Sequence, residues 1–219
     1  MLSSLQIKEL AEGMLTARHN RMLVAPPTMR YDVFSELDAY AVALALRHSR
    51  EQSGERVVGM KIGFTNSAVW SQYGLDHPIA APMYDTTVSF AQTIQVGSLI
   101  APRIEPEIVF GIGNGGVAWH AFGLEIVQSH YLNWKFGPLD AIVDFGLHAA
   151  LVVGERHPLG TNAEDAMASF TIALECDGET VAEGGGVNVL GSPLRSLARL
   201  QELIQRAEVF SLDETTYRT

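Results

Sequence analysis

The run Arg103-Ile104-Glu105-Pro106-Glu107-Ile108-Val109-Phe110 constrains the fold of this chain more than any other. Its texture is that of a β-strand. Side chains alternate across a strand, so Glu105 and Glu107 project from one face. The rest of the strand is largely apolar, and buried like charges are costly unless a cation neutralises them. An oxygen-liganded metal, Mg²⁺ or Mn²⁺, resolves the conflict. A half-exposed strand with two solvated glutamates resolves it as well, and a Glu-x-Glu pair alone does not separate the two.

Two further segments bear on the choice. Glu125 is the one carboxylate of Leu124-Glu125-Ile126-Val127-Gln128-Ser129-His130, and Lys61 is the one charge of Gly59-Met60-Lys61-Ile62-Gly63-Phe64-Thr65. Taken singly, Glu125 reads as a helix-surface glutamate and Lys61 as an edge-strand lysine that discourages aggregation. Taken together, three carboxylates and a lysine in apolar elements fit a buried cation site with an acid/base lysine beside it.

The chain has 219 residues, ample for a buried core, with 47% hydrophobic and 18% charged residues. No run is long and apolar enough to span a bilayer. The charged start, Met1-Leu2-Ser3-Ser4-Leu5-Gln6-Ile7-Lys8-Glu9-Leu10, lacks the apolar core of a signal peptide, so a cytoplasmic location is expected. A single cysteine, Cys176, forbids an internal disulfide. The net charge of −10 argues against a nucleic-acid partner. It does not prevent an anionic substrate from binding, since a local metal dominates the field of a pocket.

Neither repeats nor a linker divide the chain, which reads as one domain over residues 1–219, helical to about 55 and β-rich from about 56. A helix capped by Ser3 or Ser4 is expected to about Ala17. A second spans residues 33–53, with Asp32 as cap, Gly54 as stop, and Phe34, Leu37, Ala41, Leu44 and Ala45 at helical spacing. Strands are expected over residues 56–64, 84–96 and 104–112, a short helix over 66–73, a loop over 76–82 and a helix over 117–128. Residues 141–153 are apolar and mixed. Residues 170–176 and 179–182 read as a hairpin around Asp177-Gly178, and a last helix starts near Pro193. Helices first and strands after make an α+β pattern.

Several common sites are absent. Gly111-Ile112-Gly113-Asn114-Gly115-Gly116 follows a strand and matches Gly-x-Gly-x-x-Gly, but βαβ alternation is missing, and Gly184-Gly185-Gly186 lacks the lysine of a phosphate loop. Both read as turns or close backbone approaches. There is no Gly-x-Ser-x-Gly elbow. Cys176 precedes a hairpin turn and reads as structural. The seven histidines form no His-x-x-x-His pair. His130 and His148 read as structural or as support for ligands, and His77 stands in a loop from which it could reach a pocket.

Asp38-Ala39-Tyr40, Gly59-Met60-Lys61-Ile62-Gly63-Phe64-Thr65, Pro102-Arg103-Ile104-Glu105-Pro106-Glu107, Glu125-Ile126-Val127 with Trp134-Lys135, and Gly191-Ser192-Pro193-Leu194 occur in that order. The series resembles the 2-keto-4-pentenoate hydratase and 4-oxalocrotonate decarboxylase group of the fumarylacetoacetate hydrolase superfamily, over residues 5–200. The resemblance implies N-terminal helices followed by a mixed β-roll. It implies a divalent metal, usually Mg²⁺, on Glu105, Glu107 and Glu125, chelating a small 2-oxo acid. Lys61 matches the family's active-site lysine, and Thr65 and Lys135, which close two of the motifs, are the candidate substrate-binding residues. A lysine near such a cation is expected to have a depressed pKa.

Three departures stand out. The hydratases carry an aspartate after the lysine in a Pro-Asp-Tyr-Gly type motif, where this chain has Ile79 after Pro78; Asp76 or His77 is the candidate substitute. The connection at Gly113-Asn114-Gly115-Gly116 is short for the family. Residues 211–219 lack the family's Thr-Gly-Thr-like turn, through missing segments or true truncation. The expectation is a metal-dependent lyase of small 2-oxo or 2-hydroxy-dienoic acids, a hydratase first. A decarboxylase, a C–C hydrolase and a non-catalytic 2-oxo-acid-binding or scaffold relative are the alternatives. Members of the superfamily are usually homo-oligomers and some associate with a related enzyme; residues 147–153 and the N-terminal helices are the expected interface.

Overall fold

The structure is a computed structural model and describes residues 1–206. Helices come first. In α1 (Ser4–Asn20), Ser3 Oγ accepts the Gln6 N–H while the Gln6 side chain accepts the Ser3 N–H, so two otherwise orphaned donors are satisfied reciprocally. After the single turn α2 (Pro27–Arg30), α3 (Glu36–Gln52) begins at Ser35 rather than Asp32. Ser35 and Asp38 build a second capping box there, and Asp38 also accepts the Leu2 N–H at 2.6 Å. The buried face of α3 is Ala39, Tyr40, Val42, Ala43 and Leu46, whereas Leu37 and Leu44 are exposed. Polar groups select that face: the Tyr40 hydroxyl accepts the Ala80 N–H, and Arg50 lies 3.6 Å from the centroid of the Tyr84 ring. Apolar spacing alone does not register such contacts.

β1 (Val57–Gly63) pairs antiparallel with β2 (Ile79–Tyr84). Between them lie a 3₁₀ turn capped by Asn66 and the short α4 (Trp70–Tyr73). The loop expected over residues 76–82 is thus half strand. Its prolines misled, but a strand of a two-stranded sheet has a free edge and tolerates Pro82. The strand expected over 84–96 shrinks to β3 (Val88–Ser89), because the Thr87 hydroxyl and the Tyr84 backbone close a turn.

β4 (Arg103–Gly113) and β5 (Gly116–Val127) form a long antiparallel hairpin across Asn114-Gly115, which bears out the reading of that glycine cluster as a turn. β5 replaces the helix expected over 117–128. It pairs with β4 on one edge and β6 (His148–Val153) on the other, and it carries apolar residues on its exposed face (Phe122, Leu124) as well as on its buried one (Ala121, Gly123), so the sequence lacks the alternation that marks a strand. α5 (Pro138–Val143) precedes β6, and the sheet order is β3-β6-β5-β4 with β3 parallel to β6. α6 (Ala163–Ser169) leads to β7 (Thr171–Cys176) and β8 (Glu179–Gly185). Their turn residues Asp177 and Gly178 have φ of 52° and 84°, the left-handed pair that a tight hairpin needs. α7 (Pro193–Arg206) closes the described chain.

The main core joins α1, α3, α5 and the β1–β2 pair through residues such as Met14, Val42, Leu46, Ile79 and Ile142. A second cluster, Ala121, Leu151 and Val153 with Val109 and Trp119, lies on the four-stranded sheet. Of residues 147–153, Leu151 and Val153 are buried within the chain, whereas Leu147, Ala150 and Val152 are half-buried. Among the described residues no helix is long and apolar enough to cross a membrane. Residues 211–219, where the family's terminal turn is missing, lie outside the described residues.

Candidate metal centre

Pairing register assembles the site. Glu105 lies directly opposite Glu125 and Glu107 opposite Gly123, so alternation sends all three carboxylates to one face of the β4–β5 pair. One carboxylate oxygen from each of Glu105, Glu107 and Glu125 lies within 4.8 Å of the others. Gly123 permits this packing: a Cβ there would stand 2.8 Å from Val109 Cγ2 and 3.0 Å from the Val152 carbonyl oxygen.

β1 supplies the cation. Lys61 Nζ donates to both oxygens of Glu125 at 2.7 Å, and Glu125 is 3% exposed. Gly146, at φ 62°, lets this corner close, because a Cβ on it would lie 2.4 Å from Ala81 Cβ. From β6, the buried His148 bonds Glu125 Oε1 through Nδ1 at 2.7 Å and Thr87 Oγ1 through Nε2 at 2.9 Å. Burial holds His148 below its ordinary pKa, so the ring is neutral and Nδ1–H donates to Glu125. Behind it, Arg18 Nη1 donates to the His148 carbonyl at 3.1 Å. Metal sites recurrently hold a ligand in this way through a second layer of partners. Replacing His148 by alanine should therefore weaken Mg²⁺ affinity about 10–100-fold by calorimetry while the fold is kept; an unchanged affinity would show that Glu125 needs no such support.

Charge is unbalanced at the site. Burial raises the Glu125 pKa, but Lys61 and His148 outweigh it and hold Glu125 below the usual carboxylate value. Partial desolvation, then the neighbouring Glu125 charge, push the half-buried Glu107 up to about 8; Glu105, the exposed member of the three, is raised in the same direction, in part offset by Lys61. For Lys61, burial lowers the pKa, but Glu125, Glu105 and Glu107 together raise it above the ordinary lysine value. One lysine cannot neutralise three carboxylates, and the donor set is oxygen only. Both facts fit a hard divalent cation.

A pH dependence follows. Glu107 moves from an ordinary 4.5 to about 8 in the folded state, so the stability it contributes is complete below about 4.5 and is lost as pH rises through 8. Cation binding to the ionised form reverses that loss and releases a proton. Excess Mg²⁺ should raise the melting temperature more at about pH 8 than at about pH 6. Equal shifts at both would count against the assignment.

The triad opens into a cavity of about 1270 Å³ lined by Lys61, Glu107 and Glu125, by Thr65 and Asn66, and by apolar groups including Met60 and Val109. Thr65 is thus brought to the site. Lys135 is exposed and does not line the cavity. Nor do Asp76 and His77: His77 bonds Asp76 through Nδ1 and Glu36 through Nε2 at 2.9 Å. Ile79 is 3% exposed and packs in the main core. His130 pairs with Asp144 away from the cavity. Sequence reasoning missed Thr87 and Arg156; a hydroxyl beside a turn and an arginine in a loop carry no motif.

Fold and site together are those of an α+β enzyme with three carboxylates close enough to hold a cation. No family model matches the chain. It is 30% identical to 4-oxalocrotonate decarboxylase of Pseudomonas sp. (strain CF600), over 91% of this chain and 80% of that protein. It is 29% identical to 2-keto-4-pentenoate hydratase of Paraburkholderia xenovorans (strain LB400), over 92% and 79%. Its structure resembles 4-oxalocrotonate decarboxylase from Pseudomonas putida G7, solved with magnesium and adipate, at a TM-score of 0.86, 28% identity, and coverage of 95% of this chain and 84% of that one. The chain belongs to the family of 4-oxalocrotonate decarboxylases and 2-keto-4-pentenoate hydratases.

Proposed function

We propose that this chain is a divalent-metal-dependent hydratase of small 2-hydroxy-dienoic acids, the 2-keto-4-pentenoate hydratase type of reaction, within the fumarylacetoacetate hydrolase superfamily and its β-roll fold. The observation that carries the reading is the convergence of Glu105, Glu107 and Glu125 oxygens within 4.8 Å, with Glu107 and Glu125 on the wall of the cavity. These residues would hold Mg²⁺ or Mn²⁺, as the magnesium-bound relative supports. Such a cation supplies Lewis acidity toward the 2-oxo oxygen and carboxylate of the substrate, where enolate-like charge develops.

The chain's own residues do the rest. His148 and Lys61 fix Glu125 from two sides. Lys61 Nζ is the proton-carrying group on the cavity wall, placed to give a proton to the substrate carbon and to take one from water. Thr65 offers a hydroxyl for orientation, and Met60, Val109, Leu151 and Val153 exclude bulk water from the carbon chain. The same reading carries homo-oligomeric assembly in the cytoplasm.

Ile79 favours a second reading. The hydratases this chain resembles carry an aspartate there; Ile79 is buried and Asp76 faces away from the cavity. Decarboxylation needs the electron sink but no activated water. The test is turnover of 2-hydroxypenta-2,4-dienoate and of 2-oxo-3-hexenedioate with Mg²⁺, with Mn²⁺ and with chelator. Metal-dependent loss of the dienoate without carbon dioxide supports the hydratase. Loss of the diacid with carbon dioxide replaces it by the decarboxylase. Loss of neither leaves a hydrolase of another substrate or a non-catalytic relative.

A further inference from the structure

The sheet face that carries the carboxylates continues past them. Along β4, Glu105 and Glu107 are followed on the same face by Val109 and Gly111; along β5, Glu125 is preceded by Gly123, Ala121 and Trp119. Gly111 and Trp119 are directly opposed, and the indole occupies the space a side chain at 111 would fill: an ideal Cβ would lie 1.9 Å from Trp119 Cε2. The indole thus lies across the strand pair at the far end of the cavity.

Arg156, just beyond β6, is seated on it. Its guanidinium carbon lies 4.6 Å from the centroid of Trp119 and 4.6 Å from that of Phe90. A guanidinium held against ring faces keeps its N–H fork free in its own plane, the geometry that meets a carboxylate with two parallel hydrogen bonds. Among the described residues Arg156 makes no hydrogen bond or ion pair. Besides Lys61, it is the one cation among the cavity-lining residues described. Asp85, also on the wall, is engaged by Arg56 at 2.9 Å, and Glu183 forms no ion pair among the described residues.

Between the two charged ends the wall is apolar, with Val109, Leu151 and Val153. Four residues of strand separate Glu107 from Gly111, about 13 Å. That is the order of length spanned by a six-carbon dicarboxylate with its polar contacts at both ends.

We propose that Arg156 is the specificity-determining residue of this cavity, taking the far carboxylate of a 2-oxo dicarboxylic acid whose 2-oxo-acid end lies at Glu105, Glu107 and Glu125. The inference rests on the metal-site reading above and, by making the preferred ligand a diacid, sides with the second, decarboxylase reading over the first. A monocarboxylic dienoate fills the triad end of the cavity and leaves the fork of Arg156 to water.

The test is equilibrium binding with Mg²⁺ present, using 2-oxohexanedioate and 2-oxohexanoate, equal in length and different in the far charge. The intact chain should bind the diacid about 10–100-fold more tightly, the worth of a charge-assisted pair. Arg156→Gln should remove that preference and leave the monoacid affinity and the melting temperature unchanged. Arg156→Lys, which keeps the charge and loses the fork, should retain part of it. Equal affinity of the intact chain for both ligands overturns the role of Arg156 alone. So does a Gln variant that weakens both ligands alike. Failure of both ligands to bind in the presence of Mg²⁺ overturns the metal-site reading and this inference with it.

Discussion

On the proposed metal site, Glu107→Gln should lower metal-dependent turnover by about a hundredfold to a thousandfold, because it removes a proposed ligand at the site of developing charge. The metal-free protein should respond in the other direction. Glu107 is held near 8 by partial desolvation and by Glu125, so above that pH the folded protein carries an ionised carboxylate that is poorly solvated. An amide of the same shape removes that cost. At about pH 9 the metal-free variant should melt no lower than the metal-free parent, while Mg²⁺ should stabilise the parent and scarcely the variant. Melting curves with and without Mg²⁺ separate this from general damage, which would lower stability under every condition.

Lys61→Met should produce the opposite pattern. Lys61 Nζ lies 2.7 Å from both oxygens of Glu125, and the pair is nearly sealed from solvent. Removing one partner of a buried pair leaves a charge uncompensated and costs about 3–5 kcal/mol. Here His148 still donates to Glu125, and a bound cation restores a positive neighbour. The metal-free variant should therefore melt well below the parent, and excess Mg²⁺ should recover much of the difference. Turnover should stay about a hundredfold or more below the parent even at saturating metal, because no other amine lines the cavity among the described residues. Full activity at saturating metal would remove Lys61 from proton transfer and leave it a tether for Glu125.

These contrasts show what the sequence carries. The Glu-x-Glu spacing and the isolated charges at Glu125 and Lys61 are legible because a charge in an apolar strand is conspicuous wherever it lies. Capped helices and the Asp177-Gly178 hairpin are legible because their signals are local. β5 was not, since a strand paired on both edges and apolar on both faces has no alternation to detect. The face of α3 was not, since Tyr40 and Arg50 select it through contacts with β2. Asp76 and His77 are close to Lys61 in sequence and chemically apt, yet α4 and the following loop carry them to Glu36 rather than to the cavity. The place of Arg156 depends on Trp119 and Phe90, far from it along the chain, and only the fold brings the three together.

The site's membership is decided by counting. Glu105 meets Glu125 because pairing runs back from the two-residue loop Asn114-Gly115 and β5 takes in one extra residue, Ala118, at the irregularity beside Gly111. A slip of one residue would turn Glu105 and Glu107 to the opposite face while Glu125 kept its own. The loop that sets this count stands about 27 Å along the strand from Glu105. A residue added within β4 between Glu107 and that loop, or loss of the irregularity beside Gly111, would thus undo the site without touching any residue that forms it.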